Sequence, residues 1–198
     1  QRILDSTIAR LSAEGKVPTL LLHSCCAPCS SYCLEYLSNY FHITVFYYNP
    51  NIYPAEEYAH RVAEQQNLIA QMPAKYPVSF IEGVNDPAVF YNMVSGYESL
   101  KEGGARCFLC YEMRLRETAM LAKKQNFDYF TTTLTLSPLK NSAKINEIGE
   151  KLSKEFDVNY LFSDFKKRGG YLRSIELSKQ YNLYRQNYCG CEFSQKFV

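Results

Sequence analysis

The chain contains no apolar run of membrane-spanning length, and no secretory signal precedes its first candidate strand. A protein with no membrane partner, resident in the cytoplasm, is the expectation. Neither G-x-x-x-x-G-K nor G-x-G-x-x-G occurs, so the glycine-rich cradles that hold nucleotide phosphates have no sequence support. Internal repeats, low-complexity tracts and linkers are missing as well, which leaves a single domain over residues 1–198 as the simplest organisation. Charge of one sign is also scarce: 22 Lys and Arg against 20 Asp and Glu give a net charge of +2. Such a molecule has no global field for polyanions, and contact with nucleic acid must come from local patches. The first residue is Gln rather than Met, so a short native N-terminus is expected to be absent from the sequence.

What is abundant is cysteine. The chain has 198 residues, 46% of them hydrophobic, enough for one good core without covalent staples. Its eight cysteines nevertheless fall in tight groups, where secreted disulfide scaffolds spread theirs. That distribution favours metal or redox chemistry. The stretch Leu20–Cys33, LLLHSCCAPCSSYC, organises the rest. A buried strand ends near His23, and Pro28 marks the first turn of a helix. Cys25 and Cys26 then lie in the turn between them, with Cys29 just inside the helix. Backbone N–H groups at a helix start favour negative charge, so thiolates are stabilised there in the form that binds metal.

Periodicity supplies the frame. Helices are expected over Arg2–Glu14, Pro28–Tyr40, Pro54–Met72, Cys107–Lys124, Ser142–Phe156 and Tyr171–Tyr181, with a weak helix or loop over Pro87–Leu100. Strands are expected over Val17–Leu22, Ile43–Tyr48, Pro77–Ile81, Asp128–Leu134 and Val158–Phe162. This alternation predicts an α/β fold with a mostly parallel sheet flanked by helices, whose ligands bind beyond the carboxyl ends of the strands. The loops holding Cys25 and Cys26, Asn49 and Asn51, Ser137 and Lys140, and Asp164 and Lys166 would meet on that rim.

Cys107-Phe-Leu-Cys110 opens a helix after Gly103-Gly104, and Cys189-Gly-Cys191 lies near the end of the sequence. One C-x-x-C alone is weak evidence, shared by dithiol, zinc and iron–sulfur sites. Together with the first group, seven cysteines sit in three short pieces. Seven thiols exceed one zinc. Four for a 4Fe-4S cluster and three for a neighbouring single metal with an open position account for all of them. Cys33, one turn further into its helix, reads as a small buried apolar residue. His23 reads as a hydrogen-bonded structural histidine before it reads as a ligand. Asn49-Pro-Asn51 is a rigid turn that ends a strand and offers amide groups at the rim. From Asp164 to Arg185, six basic residues (Lys166, Lys167, Arg168, Arg173, Lys179 and Arg185) stand against two acidic ones, with three tyrosines between them. That mixture suits phosphates and unstacked bases, and equally a solvated helix face.

Taken together, LLLHSCCAPCS, YNPNIYPAEEY, CFLCYEMRL, TTTLTLSPLK, DFKKRGGYLRSIELS and YRQNYCGCEFS resemble the cobalamin-independent epoxyqueuosine reductases of the QueH type, over about Leu20 to Phe193. The resemblance implies a Rossmann-like domain akin to PP-loop adenine-nucleotide hydrolases. It implies reduction of epoxyqueuosine to queuosine in the tRNA anticodon, a 4Fe-4S cluster and an adjacent single metal ion, iron or zinc. The ligands it implies are Cys25, Cys26, Cys29, Cys107, Cys110, Cys189 and Cys191, with an acidic residue at the position of Cys29 in some members. Asp164 or Tyr111 would supply a proton at the metal rim. Asn49, Asn51, Lys166, Lys167, Arg168 and Arg185 would contact the RNA, whose base must leave the anticodon stack. The expected partners are tRNA and a low-potential electron donor protein, and the expected state is a monomer whose tail, 183–198, folds back onto the metal site. The competing readings are a zinc-dependent RNA-binding module without redox activity and a PP-loop-like tRNA sulfur-transfer enzyme.

Overall fold

Leu20, Leu21 and Leu22 are all fully buried, as a strand covered on both faces requires. The structure is a computed structural model describing residues 1–195, so residues 196–198 of the expected domain and tail lie outside the described residues. The chain runs α1 (Arg2–Ala13), β1 (Thr19–His23), α2 (Ala27–Leu37), β2 (His42–Tyr47), α3 (Ala55–Gln71), β3 (Ser79–Glu82), α4 (Pro87–Val94), α5 (Ala105–Lys124), β4 (Tyr129–Thr132), α6 (Ser142–Phe156), β5 (Asn159–Tyr160), α7 (Gly170–Gln180) and a last turn, α8 (Glu192–Gln195). All five strands are parallel, in the order β3-β2-β1-β4-β5.

The pleat sends alternate side chains to opposite layers. Leu20 and Leu22 join Ile43 and Val45 under α1, α2 and α3, in a core with Leu4, Leu34 and Leu68. Leu21 and Phe130 join the layer under α4, α5 and α6, with Phe90, Leu115 and Leu152. The chain leaves β1 toward β2 on one side, and β4 later adds on the other. β1 and β4 therefore flank the switch point of the sheet, where crossovers diverge and leave a crevice at the carboxyl ends. His23 is in register with Thr132 there.

β4 and β5 are the strands that fall furthest short of expectation. The threonine run that reads as a strand to Leu134 ends at Thr132, because the Thr132 hydroxyl accepts a hydrogen bond from Leu134 N at 3.1 Å and caps a 3-10 turn over Thr133–Leu136. β5 keeps only Asn159 and Tyr160 of the expected five residues. The segment from Pro87 does form a helix, with Pro87 in its first turn and Asp86 accepting from Ala88 N at 3.0 Å. No helix among the described residues is long and apolar enough to cross a membrane.

Candidate metal centre and cleft

The turn after β1 is held on every side. Asn49 Nδ2 donates to Ser24 O at 2.8 Å, and the Ser24 and Ser30 hydroxyls both reach Gln65 Oε1, at 2.6 and 2.8 Å. His23 spends both ring nitrogens: Nε2 lies 3.1 Å from Tyr48 O, which can only accept, so Nδ1 accepts from Thr132 Oγ1 at 2.9 Å. Burial, with the charge of Arg114, pushes His23 down to about 3, so it is neutral and structural. Cys26 caps α2, Pro28 sits in the first turn, and Cys29 follows it. This framework brings the sulfurs of Cys25, Cys26 and Cys29 within 4.8 Å of one another, the only three potential ligand groups so close among the described residues. Cys25 Sγ is 3.9 Å from Cys26 Sγ and 3.4 Å from Thr133 Oγ1, so β4's following turn completes the nest.

The second group is assembled from distant segments. Gly103 N donates to Cys107 Sγ at 3.2 Å at the start of α5, and Cys110 follows one turn on. The tail crosses above: Tyr53 N donates to Gly190 O and Tyr188 Oη donates to Tyr53 O, both at 2.8 Å. Gly190 has φ +115°, and a Cβ there would lie 3.0 Å from Arg61 Nη1. Only glycine turns both Cys189 and Cys191 toward α5 without strain. Cys107, Cys110, Cys189 and Cys191 border one small cavity, together with Tyr111 and Arg114. Cys189 also borders a larger cleft of about 430 Å³ that reaches Cys25, Cys26 and Cys29. All three cysteine groups thus share one neighbourhood at the switch point.

Buried thiols prefer to stay neutral, and the site offsets this with cations. Hydrogen bonds from Cys26 and Cys29 hold the Cys25 thiol well below its ordinary range, with Lys140 nearby. The same hydrogen bonding to Cys25 pushes Cys26 up to about 12. Burial pushes Cys110 up to about 12, although Arg114 opposes it. Burial would lower the Lys140 ammonium, but the neighbouring sulfurs of Cys189, Cys25 and Cys29 outweigh it and hold the group charged. Arg61, Arg106 and Arg114 are the three largest fully buried side chains described. A buried cysteine trio beside a cysteine quartet, ringed by buried cations, is a donor set able to bind metal.

The expected contact residues divide. Arg185 borders the cleft, with Lys140, Tyr171 and Tyr188. Asn51 and Tyr111 border the cysteine cavity. Asn49 is buried, its amide occupied by Ser24 O and by Arg114 Nη1, so it braces the site from behind. Lys166 is paired with Asp164 at 2.7 Å and Arg168 with Asp5 at 2.6 Å, and these four residues, like Lys167, do not border the cleft. Sequence reasoning placed Lys140 on the rim without a role and did not single out Arg61, Arg106 or Arg114. Arg114 had a signal: it lies four residues after Cys110 on a helix, on the same face. Arg61 had none, because only the fold brings α3 under the tail.

A family model described as epoxyqueuosine reductase QueH matches residues 20–197. The epoxyqueuosine reductase QueH of Staphylococcus aureus is 45% identical over 98% of this chain and 82% of its own length. That of Streptococcus pyogenes is 42% identical over 98% of this chain and 77% of its own. That of Thermotoga maritima is 37% identical over 89% of this chain and 90% of its own.

Proposed function

The chain belongs to the epoxyqueuosine reductase QueH family, and from that premise we propose how its residues divide the work of reducing epoxyqueuosine to queuosine at the tRNA wobble position. The protein is an oxidoreductase, and the reaction is the last step of queuosine formation. Two electrons and two protons enter, both epoxide C–O bonds break, a carbon–carbon double bond forms, and the oxygen leaves as water.

The observation that carries the reading is the split of seven thiols into a trio and a quartet that meet at Cys189 in one cleft. The trio fits a single ion. Thiolates on one tetrahedral metal with bonds of about 2.3 Å stand roughly 3.8 Å apart, and the sulfurs of Cys25 and Cys26 are 3.9 Å apart. Three ligands leave a position open toward the cleft. No three of the quartet's sulfurs lie as close together as the trio's, in keeping with ligands that each bind a different iron. We therefore assign Cys25, Cys26 and Cys29 to a single metal, iron or zinc, and Cys107, Cys110, Cys189 and Cys191 to a 4Fe-4S cluster. When bound, the two would supply electrons one at a time and a Lewis acid for the epoxide oxygen.

The chain's own groups do the rest. Arg185 and Lys140 place positive charge on the cleft wall, where the RNA backbone is to be held. Tyr171 and Tyr188 offer rings to an unstacked base. Of the two groups expected to donate a proton, Tyr111 borders the cysteine cavity while Asp164 is held by Lys166 outside the cleft, so we assign the donor role to Tyr111. Leu136, Pro138 and Leu139 give the cleft apolar sides that limit water. A low-potential protein must deliver the electrons. We place the enzyme in the cytoplasm, as a monomer. No observation favours a zinc-only RNA-binding module or an ATP-dependent sulfur transferase.

The test is single-turnover conversion of epoxyqueuosine-containing tRNA by anaerobically prepared protein under reducing conditions, with iron and sulfide measured on the same sample. Conversion should accompany iron, acid-labile sulfide and absorbance near ~400 nm, where thiolate-bound iron absorbs and zinc does not. Protein that holds zinc alone and leaves the epoxide intact would refute the reading.

A further inference from the structure

Three buried arginines surround the thiols; each leaves at least one guanidinium nitrogen unpaired, Arg106 two, and they differ in what meets the charge. Arg61 pairs with Glu57 at 2.7 Å and lies 5.1 Å over the Tyr188 ring. Arg106 Nη1 donates to the backbone carbonyls of Glu98 and Leu100, both at 2.6 Å. Arg114 is only 1% exposed and has no carboxylate partner among the described residues. Its Nε donates to Cys110 O and its Nη1 to Asn49 Oδ1, both at 3.3 Å, which leaves Nη2 buried without an acceptor. A buried cation with an unmet donor is costly unless something anionic faces it. Arg114 borders the cavity ringed by Cys107, Cys110, Cys189 and Cys191.

We propose that Arg114 is a positioning residue that sets the reduction potential of the centre held by the cysteine quartet, directing its free Nη2–H toward the sulfurs. The proposal rests on the reading of that quartet as a redox centre. An added electron raises the negative charge of the sulfurs, and a fixed cation that donates a hydrogen bond to them favours the reduced state. Asn49 is the brace: one end of its amide holds Arg114 and the other holds Ser24 O, beside the turn that carries Cys25. The guanidinium thus keeps its place relative to both thiol groups.

The experiment is potentiometric titration followed by electron paramagnetic resonance, on the parent and on R114Q, R114K and R116Q, each reconstituted anaerobically with iron and sulfide. Arg116 is on the same helix but pairs with Glu112 and Glu155 at the surface, so R116Q removes the same charge from outside the site. At a fixed ambient potential the reduced-to-oxidised ratio should fall about tenfold in R114Q, equivalent to about 59 mV for a one-electron couple. The ratio should fall less in R114K, which keeps the charge but not the fork, and should hold in R116Q. Parent ratios in R114Q and R114K would overturn the proposal, as would an equal fall in R116Q. If R114Q takes up no iron, R114K decides: a lowered ratio supports the proposal and the parent ratio overturns it. A parent protein with no titratable signal refutes the redox reading itself and the proposal with it, a result visible before any variant is made.

Discussion

Replacing Lys166, Lys167 and Arg168 together with Ala removes three positive charges, yet two of them are already neutralised within the chain. Lys166 Nζ is 2.7 Å from Asp164 Oδ1 and 2.8 Å from Ser142 Oγ, and Arg168 Nη2 is 2.6 Å from Asp5 Oδ2. A phosphate bound there would have to displace those oxygens. Of the three, only Lys167 is exposed without an ion-pair partner among the described residues. Each phosphate contact to a single strand contributes about 0.7 to the slope of log affinity against log salt. The triple variant should therefore flatten the slope by about 0.7, not by the roughly 2 that three independent contacts would give. Arg185 is different: its Nη1 meets only Ser178 Oγ at 3.0 Å and Ser174 O at 3.5 Å, and it borders the cleft. Arg185→Gln alone should cost about 0.7 of slope. The assay is anisotropy of a labelled anticodon stem-loop over a range of salt, with a thermal melt as control, since lost surface ion pairs are worth about 0–1 kcal/mol each. A triple variant flattened by about 2, with Arg185→Gln unchanged, would mean that the ion pairs open for RNA and that the RNA lies before α7, outside the cleft.

Truncation after Tyr188 removes two ligands and the Gly190 carbonyl that Tyr53 N reaches, so iron content and melting temperature should both drop; calorimetry with iron analysis checks this. Tyr111→Phe should keep parent iron and sulfide but slow epoxide reduction by about 10²–10⁴-fold in single turnover, the usual weight of a proton donor. Cys107→Ser should lose cluster absorbance and conversion, while stem-loop binding at fixed salt stays close to the parent's.

The fold and the cysteine groups were legible because both are written locally. Apolar runs such as Leu20–Leu22 mark strands, Gly and Pro mark their ends, and C-x-x-C spacing survives any tertiary arrangement. The partition of the thiols was not legible. Cys189 stands next to Cys107 only because Tyr53, Arg61 and Gly190 lock the tail over α5, and those contacts span more than a hundred residues of sequence. Which members of the basic stretch are already paired was hidden for the same reason. Its charge density is local, but Asp5, which cancels Arg168, comes from α1. The end of β4 was hidden in a threonine run whose composition favours a strand, while the hydroxyl of Thr132 favours a capped turn.

The tail carries two duties that the structure keeps apart. Residues 185–188 form one side of the cleft, and Cys189 and Cys191 supply thiols. Were metal the tail's only anchor, losing it would dissolve the RNA surface as well. Instead Leu183 is buried in the core, Tyr184 N donates to Glu64 Oε2 at 3.0 Å, and Tyr184 Oη donates to Glu57 Oε2 at 3.3 Å. Tyr188 Oη reaches Tyr53 O, and its ring lies against Arg61. None of these contacts passes through a sulfur. They set the positions of Arg185 and Tyr188 before any metal arrives, and the metal then adds its binding energy to a tail already in place. Cys107 lies on α5 and shares no hydrogen bond with those anchors, its sulfur accepting only from Gly103 N. Replacing it takes a ligand from the quartet and leaves the cleft wall standing, which is why binding and chemistry should part in that variant.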